Sequence, residues 1–333
     1  KATHTHAPNF AYEMCLERVT PEQLRRLDLS SWRVAGNGAE PVRAATLARF
    51  AERFRPCGFS ARTFYPAYGL AEATLFVTAR SHDRAAVSLE LDAAALEQHQ
   101  VRTVESGFSQ ATREVVCCGL PQPGTDIRIV DPASNGEVAA EQVGEIWVSS
   151  PSVALGYWHR PESSSETFDA RLEQQPTAGP FLRTGDLGFM HDGHLYVTGR
   201  LKDLIVIAGV NHYPQDIEWT ALQACPAIRP EHCAAIAVEC DGQERLVLLG
   251  EAGMRQHDWQ PEFARLREVI SAQHGVQVYE IVILGRGGIY KTSSGKVQRQ
   301  ACVAAYESDR LDVVERSSAR SVSVQPKPSS EGQ

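Results

Sequence analysis

Apolar residues recur with a helical period on both sides of a short apolar strand near the start of the chain. Residues 21–29 follow a threonine and begin with Pro and Glu, which is typical of a helix N-terminus. Residues 41–54 have the apolar spacing of an amphipathic helix, and residues 32–41 between them combine a strand with a glycine turn. Residues 65–76 then predict a strand, a turn and the start of a helix. This alternation predicts an α/β fold.

The middle of the chain has a different pattern. Residues 79–113 are polar with little periodicity beyond a short helix at 92–100, so we expect an insertion that is at least partly exposed. Residues 114–199 contain short apolar runs separated by Gly, Pro and Asp, which predict a strand-rich subdomain, either a small layer or a distorted barrel. One of its turns is a hairpin turn at Asp192-Gly193.

The last third alternates strands and amphipathic helices again. Residues 202–308 predict a small α+β domain, and about 100 residues is a normal size for one. Residues 1–201 then form part of a larger α/β domain. Residues 309–333 are predicted to be a disordered tail or linker, because the segment from 316 onwards is rich in Ser and Pro and poor in apolar residues.

Composition excludes several classes of protein. The chain has 333 residues, of which 43% are hydrophobic and 22% charged, as in ordinary globular proteins. Its net charge of −8 does not indicate a nucleic-acid-binding surface. No apolar run approaches the roughly 20 residues of a membrane span. The chain opens with a polar segment that lacks both an initiator Met and a signal peptide, so we expect a fragment of a longer protein.

The eight cysteines include no Cys-x-x-Cys pair. We expect free, mostly buried thiols and a cytoplasmic protein, because thiols persist in the reducing cytosol. Zinc binding around Cys225, His232, Cys233 and Cys240 is the weaker alternative.

Several segments carry a single charged group next to a glycine, which gives the backbone more conformational freedom. The turn Asn37-Gly38-Ala39 can bring main chain against a flat ligand. Asp186, predicted in a turn before a strand, can accept hydrogen bonds from two vicinal hydroxyls, as on a ribose. Lys296 lies near a predicted helix N-terminus, where a cation is mildly unfavourable, so we expect an anionic partner.

The charged residues near these glycines also have an ordinary structural interpretation. Glu72 suits the first turn of a helix, Asp186 suits a turn, and Arg200 and Lys296 can be solvated surface charges. The segment around Lys296 is not a Walker loop, because it lacks the upstream glycine at the required spacing.

The order of the motifs is more specific than any single one. Tyr-Gly-x-x-Glu at 68–72, Thr-Gly-Asp at 184–186, Gly-Arg-x-Lys at 199–202 and Ser-Gly-Lys-x-x-Arg at 294–299 occur in this sequence in that order. Together they resemble the adenylate-forming superfamily, which includes acyl-CoA synthetases, luciferases, peptide-synthetase adenylation domains and fatty acyl-AMP ligases.

Within that superfamily the chain is most similar to the fatty acyl-AMP ligases. The segments PNFAYEMC at 8–15, NGAEPVR at 37–43, YGLAEATL at 68–75 and GVNHYPQDIE at 209–218 carry this similarity. The insertion at 79–113 also lies where that branch has an extra segment.

The resemblance implies a role for each matched residue. Tyr68 would stack on adenine, Glu72 would bind the Mg2+ that accompanies ATP, and Asp186 would hold the ribose hydroxyls with help from Arg200. Lys296 would contact the acyl carboxylate and the α-phosphate, so Lys296 and Glu72 are the implied catalytic residues. The remaining implied residues are Asn37, Gly38, Ala39 and Gly69 at the nucleotide and Lys202 at the hinge of the small, mobile lid domain.

The resemblance also implies a function. A fatty acid would react with ATP to give an acyl adenylate and pyrophosphate, and the acyl group would pass to the phosphopantetheine thiol of an acyl carrier protein, in lipid or polyketide synthesis. The Ser/Thr/Gly-rich loop that holds the β- and γ-phosphates is not present in residues 1–333, so we expect this chain alone to be weakly active or inactive. An acyl-CoA ligase and a non-catalytic module that binds lipid or carrier protein are the alternatives.

Overall fold

The computed structural model describes residues 1–80, 86–104, 111–240, 242–253, 257–292 and 295–318. The chain divides into two units, Lys1–Lys202 and Asp203–Gln333. Both combine helices with sheets, so the predicted α/β class is confirmed. Within the described ranges, no helix is both long enough and apolar enough to cross a membrane.

The first unit contains eleven strands and five α-helices in its described part. In chain order they are β1 His4–Ala7, α1 Asn9–Arg18, α2 Pro21–Arg26, β2 Val34–Asn37, α3 Ala44–Phe54, β3 Phe64–Tyr68, β4 Thr78–Ala79, β5 Ser88–Asp92, α4 Ala93–Leu96, β6 Thr112–Val116, β7 Leu120–Pro121, β8 Asp126–Val130, β9 Gly144–Ser149, α5 Pro161–Phe168, β10 Leu182–His191 and β11 His194–Arg200.

A five-stranded sheet of order β1-β2-β3-β4-β7 forms the first layer of this unit. Strands β1, β2 and β3 are parallel, so their carboxyl ends lie at one edge of the sheet. Tyr12 of α1, Phe50 and Phe54 of α3 and Phe64 of β3 form a buried aromatic cluster that packs these helices on the sheet. The edge where the parallel strands end is where open α/β sheets bind their ligands.

The strand-rich region forms a four-stranded antiparallel sheet of order β11-β10-β9-β8. Of the two forms predicted for residues 114–199, the strand-rich layer is confirmed and the distorted barrel is wrong, because β8 and β11 lie at opposite ends of an open sheet. In a closed barrel the outer edge of β11 would pair with β8, but residues 117–119 occupy that edge. Cys118 N–H donates to the Leu195 carbonyl, and Leu195 N–H donates to the Gly119 carbonyl. The predicted hairpin turn is confirmed, since β10 and β11 are joined by Asp192 and Gly193, both with positive φ.

The insertion at 79–113 is more ordered than its polar pattern suggests. Strands β5 and β6 pair, and Asp92 caps the short helix α4 by accepting from two backbone N–H groups. Leu91 and Leu96 are fully buried, and Arg113 donates to the carbonyl of Thr198 on β11. Its residues 81–85 and 105–110 lie outside the described ranges.

The second unit is built around one sheet of order β14-β15-β16-β17. Its elements are β12 Ile205–Ile207, β13 Val210–His212, α6 Pro214–Ala224, β14 Ile228–Cys240, β15 Gln243–Ala252, α7 Gln260–His274, β16 Val278–Leu284, α8 Arg299–Glu307 and β17 Val313–Ser318.

Alternating residues of this sheet enter two separate cores. Leu246 and Leu248 of β15 pack with α6 and α7, whereas Val247 and Leu249 pack with Cys302 of α8. Because successive strand residues point to opposite faces, one sheet separates α6 and α7 from α8.

Part of the predicted tail is structured. Strand β17, residues 313–318, pairs antiparallel with β16, so the prediction of disorder for 309–333 does not hold for this part. Val313 and Val314 favour extended backbone, and β17 covers an edge of the sheet that would otherwise have unpaired backbone groups. Residues 319–333 lie outside the described part of the chain.

All eight cysteines are free, and six of them are buried, as predicted. The described residues contain no group of three or more His, Cys, Asp or Glu side chains that could hold a metal ion.

Candidate active site

The turn after β2 brings main chain close to β3. A Cβ atom on Gly38 would lie 2.6 Å from the carbonyl oxygen of Ala67, and Ala39 has a left-handed backbone with φ of 66°. The side chain of Asn37 is buried, and its Oδ1 has no hydrogen-bond partner within the described residues. A buried acceptor without a partner costs free energy, so Asn37 is suited to a ligand that donates a hydrogen bond, such as the amino group of a purine.

Three residues predicted at the nucleotide are in direct contact. The Tyr68 hydroxyl donates to Asp186 Oδ2 at 2.8 Å, and Arg200 Nε donates to Asp186 Oδ1, also at 2.8 Å. Burial, and then the charge of Asp186, raises the pKa of Tyr68 well above its ordinary value, so the phenol remains a donor. Each carboxylate oxygen has a second lone pair, so Asp186 can still accept from two hydroxyls.

Asp186 lies within β10, not in a turn before a strand as predicted. The pairing of β10 with β9 is irregular between Arg183 and Leu187, and Gly185 has φ of 70°. The glycine therefore makes a bulge inside a continuous strand, and bulges commonly redirect a side chain next to a binding site. Tyr68 is also more buried than we expect for a ring that stacks on a ligand, because only 9% of its surface is exposed.

A buried glutamate supports this bulge. Glu145 on β9 is 2% exposed, and its Oε2 accepts from Arg183 and from Trp147 Nε1, while its Oε1 accepts from the backbone N–H of Gly185. Glu145 is not among the residues predicted from the sequence. The available signal was an acidic residue within the apolar strand at 144–149, because a carboxylate is rarely buried unless it is paired.

Glu72 lies in a single 3-10 turn, Ala71–Ala73, where the sequence predicted the start of a helix. Its Oε1 accepts from the hydroxyl of Tyr157 at 2.8 Å, and its carbonyl accepts from the backbone N–H of Ala154. Gly69 is needed before this turn, since a Cβ there would lie 1.5 Å from the carbonyl oxygen of Leu75. Tyr157 lies 85 residues from its partner and is likewise not among the residues predicted from the sequence.

The contacts of Glu72 are compatible with a magnesium site. The side chain is half-buried, and the Tyr157 hydroxyl orients only one of its two carboxylate oxygens. Mg2+ typically binds proteins through one or two carboxylates and completes its shell with water and substrate phosphates. One accessible carboxylate is therefore sufficient, and a cage of several ligands is not required.

Lys296 belongs to the second unit, whereas the predicted nucleotide and metal residues belong to the first. Lys296 is exposed, and its Nζ has no ion-pair partner among the residues that the structure describes. Its backbone is held on both sides, since Lys296 N–H donates to Thr292 Oγ1 at 3.1 Å and Thr292 N–H donates to the Lys296 carbonyl at 2.8 Å. Lys202 lies in the 3-10 turn Leu201–Asp203. Lys296 is thus an exposed ammonium on a constrained backbone.

Known families match most of the chain. Residues 1–158 match the family described as AMP-binding enzyme, and residues 202–316 match the Disco-interacting protein 2-like AMP domain. The fold and the site thus define a protein class, and the chain belongs to the adenylate-forming superfamily of AMP-binding enzymes.

The relatives within that superfamily are more specific. The chain is 48% identical over 316 residues to a medium-chain-fatty-acid–acyl-carrier-protein ligase of Moorena producens, an alignment that covers 94% of this chain and 53% of the relative. It is 40% identical over 320 residues to a long-chain-fatty-acid–AMP ligase of Mycobacterium tuberculosis, covering 92% of this chain and 54% of the relative. The chain therefore spans about half the length of the curated relatives it matches.

A solved structure agrees with these relatives. One from a study of fatty acyl-adenylate ligases from E. coli and L. pneumophila superposes with a TM-score of 0.82 at 37% identity and covers 92% of this chain and 53% of that chain. The resemblance to fatty acyl-AMP ligases inferred from the motifs is confirmed.

Proposed function

We propose that the protein carrying this chain activates a fatty acid with ATP and transfers the acyl group to the phosphopantetheine thiol of an acyl carrier protein. In the first step the fatty acid carboxylate attacks the α-phosphorus, and the bond from that phosphorus to the bridging oxygen of pyrophosphate breaks. In the second step the thiol attacks the acyl carbon, loses its proton, and AMP leaves as the acid anhydride bond breaks.

The contact of Asp186 with Tyr68 and Arg200 is the observation that supports this proposal most directly. The three groups are 118 and 14 residues apart in sequence and still join at one carboxylate. Because both oxygens of Asp186 are oriented by donors, the carboxylate is pre-organised to accept from the two hydroxyls of a ribose. The turn at Asn37, Gly38 and Ala39 offers backbone for the flat base.

Lys296 supplies the charge that the first step requires. A carboxylate that attacks a phosphate brings two anions together, and a cation beside them lowers the barrier most where charge accumulates in the transition state. The exposed Nζ of Lys296 is available for this role because its neighbours constrain the backbone and not the ammonium group. In this proposal Lys202 is the hinge that lets the second unit approach and leave the nucleotide.

Glu72 is the residue that would hold Mg2+ in this proposal. The ion would neutralise phosphate charge when it is bound with ATP. Tyr157 keeps one oxygen of Glu72 in place, so that the carboxylate does not have to be reoriented when the nucleotide arrives.

The substrate and the acceptor follow from the relatives. Their names give fatty acids as substrates and, for the Moorena producens relative, an acyl carrier protein as the acceptor. The eight free cysteines support a cytoplasmic location for the reaction, because thiols persist in a reducing compartment.

The test uses the natural protein in full length. Pyrophosphate release is measured with medium-chain and long-chain fatty acids, and the acyl product is identified with either coenzyme A or a carrier protein bearing phosphopantetheine. We expect Lys296→Ala to slow acyl adenylate formation about 10²-fold or more. Asp186→Ala should mainly weaken ATP binding. Arg310→Ala, which removes an exposed cation from the second unit, is the control.

The outcomes separate the alternatives. Acyl adenylate formation that survives both substitutions would contradict the catalytic proposal and leave a binding module. Acyl-coenzyme A as the main product would assign the protein to the ligases that use a free thiol.

A further inference from the structure

The guanidinium of Arg299 joins three segments of the second unit. Arg299 is the first residue of α8, and its Nε and Nη2 donate to the two oxygens of Glu218 on α6 at 2.9 and 2.7 Å. Its Nη1 donates to Asp203 Oδ2 at 2.8 Å. Glu218 Oε1 accepts in addition from the backbone N–H of Ala235 on β14. One side chain thereby ties α8 to α6 and to the residue that follows Lys202.

These charges are largely withdrawn from solvent. The side chains of Arg299, Asp203 and Glu218 are 15%, 21% and 11% exposed. Burial by itself lowers the pKa of Arg299, but the charges and hydrogen bonds of Glu218 and Asp203 outweigh it and raise the pKa above the ordinary value. The cation is therefore permanent, and the fork geometry of a guanidinium fits both carboxylates at once.

Arg299 lies just beyond the backbone that carries Lys296. Residues 290–292 and 295–298 form two arms, which we name the lysine hairpin. They pair through a bridge between Lys291 and Val297 and a hydrogen bond from Gln298 N–H to the Tyr290 carbonyl at 2.9 Å. Residues 293 and 294 lie outside the described ranges. Its second arm continues directly into Arg299, so two residues separate Lys296 from the fixed guanidinium.

A buried carboxylate also holds the backbone just before the first arm of the lysine hairpin. Glu251 on β15 is fully buried and accepts from the backbone N–H groups of Gly287 and Ile289 at 3.1 and 3.0 Å. Arg229 pairs with the other oxygen of Glu251. Both arms are therefore anchored, and the second arm leads into the side chain that is tied to Asp203, next to Lys202.

We infer that Arg299 is the positioning residue for Lys296, and that it fixes the lysine hairpin relative to the turn at residues 201–203. This inference rests on the proposed function, in which Lys296 must reach the reacting phosphate when the second unit moves. A lysine on a loosely held hairpin would arrive in many positions, and a misplacement of about 1 Å can cost 10²-fold in rate. Arg299 does not contact the substrates in this role.

The test compares two half-reactions in the full-length protein. Acyl adenylate formation is measured from fatty acid and ATP, and transfer is measured separately from supplied acyl adenylate to the carrier protein. We expect Arg299→Lys, which keeps the charge but loses the fork, to lower kcat for adenylate formation about 10-fold or more, with little change in KM for ATP. Transfer from supplied acyl adenylate should stay within about twofold, because that step does not join two anions.

A second variant limits the change to one contact. Asp203→Asn weakens the tie to the turn and keeps the pair with Glu218, so it should slow adenylate formation less than Arg299→Lys. Amide hydrogen exchange at residues 290–292 and 295–298 should become faster in both variants. Arg310→Ala should change neither the two rates nor this exchange.

The outcomes distinguish this inference from the proposed function. If Arg299→Lys forms acyl adenylate at the unmodified rate while Lys296→Ala does not, only the positioning role is wrong. An equal loss in both half-reactions would show a purely structural role for Arg299 and would also overturn the inference. If Lys296→Ala itself leaves adenylate formation unchanged, the proposed function fails first.

Discussion

Asp186 and Arg200 lie directly opposite each other on the paired strands β10 and β11, and Arg200 Nε donates to Asp186 Oδ1 at 2.8 Å. The side chain of Asp186 is 12% exposed, whereas that of Arg200 is 63% exposed. Because neighbouring positions on two paired strands are fixed by the backbone register, this pair does not depend on side-chain flexibility to meet. A ligand at Asp186 would therefore find a carboxylate that is already oriented.

The first prediction concerns the other donor to this carboxylate. Tyr68→Phe removes one hydrogen bond to Asp186 and keeps the aromatic ring, so it should raise KM for ATP with little effect on kcat. A hydrogen bond to a charged group typically contributes about 1.5–3 kcal/mol, which corresponds to roughly a 10- to 150-fold rise in KM. The measurement is adenylate formation against ATP concentration.

Tyr279→Phe on β16 is the matched control, because it removes a phenol hydroxyl from the second unit. An unchanged KM for ATP in Tyr68→Phe, or an equal rise in the control, would show that the contact with Asp186 does not prepare the site.

The sequence predicts much of this site because local backbone chemistry encodes it. Gly38, Gly69 and Gly185 lie where a side chain would clash or where φ is positive. The glycines in the sequence therefore mark the turns around the functional residues. The alternation of helix and strand patterns in the first 76 residues likewise reflects one buried face for each element.

The contacts that the sequence could not predict join distant segments. Tyr157 reaches Glu72 across 85 residues, and Glu145 reaches Arg183 across 38, and no periodicity encodes such pairs. The sequence left an open layer and a barrel as alternatives for the same reason, because strand patterns give the number of strands and not which edges remain free. The tie from Arg299 to Asp203, 96 residues apart, also became visible only in the structure.

The second prediction concerns the hydroxyl that orients Glu72. Burial, and then the hydrogen bond from Tyr157 to Glu72, raises the pKa of Tyr157, so the hydroxyl stays protonated at neutral pH and donates to the carboxylate. Tyr157→Phe leaves Glu72 free to rotate. Since groups that orient a metal ligand are typically worth 10- to 100-fold in metal affinity, the Mg2+ concentration for half-maximal rate should rise about 10-fold.

Adenylate formation is therefore titrated with Mg2+ at saturating ATP in the variant and in Tyr279→Phe. Superimposable Mg2+ curves would mean that Tyr157 does not orient a metal ligand.

The third prediction concerns stability. Glu145→Gln leaves Arg183 without its counter-charge and weakens the support of the bulge at Gly185. Because the carboxylate is buried but the side chain of Arg183 is 32% exposed, we expect a loss of about 2–3 kcal/mol, less than for a fully buried pair. Urea unfolding measures this loss.

The comparison is Asp126→Asn, which removes a partner from the exposed pair with Arg128 and should change stability by less than about 1 kcal/mol. Equal effects of the two substitutions would show that Glu145 has no special role.

The last prediction concerns pH. His212 in the second unit is 5% exposed, and burial, followed by the charge of His274, lowers its pKa below the ordinary value of about 6.5. In the unfolded chain the same imidazole takes up its proton at the ordinary pKa, so between pH 6.5 and the lower folded pKa the unfolded state binds more protons. The free energy of unfolding should therefore fall as the pH decreases below about 6.5, by at most about 1.4 kcal/mol per pH unit for this residue.

Carboxylates whose pKa is lowered by hydrogen bonds, such as Asp131, lose their contribution only below about pH 4, outside this window. Urea unfolding of the natural protein and of His212→Gln at pH 5.0, 6.0, 7.0 and 8.0 measures the slope. From about 7 to 8 the two proteins should change alike, because burial raises the pKa of thiols such as Cys118 and Cys233 equally in both. The variant should then show a shallower fall from about 7 to 5 whatever its absolute stability, and a slope identical to that of the natural protein would contradict the assignment to His212.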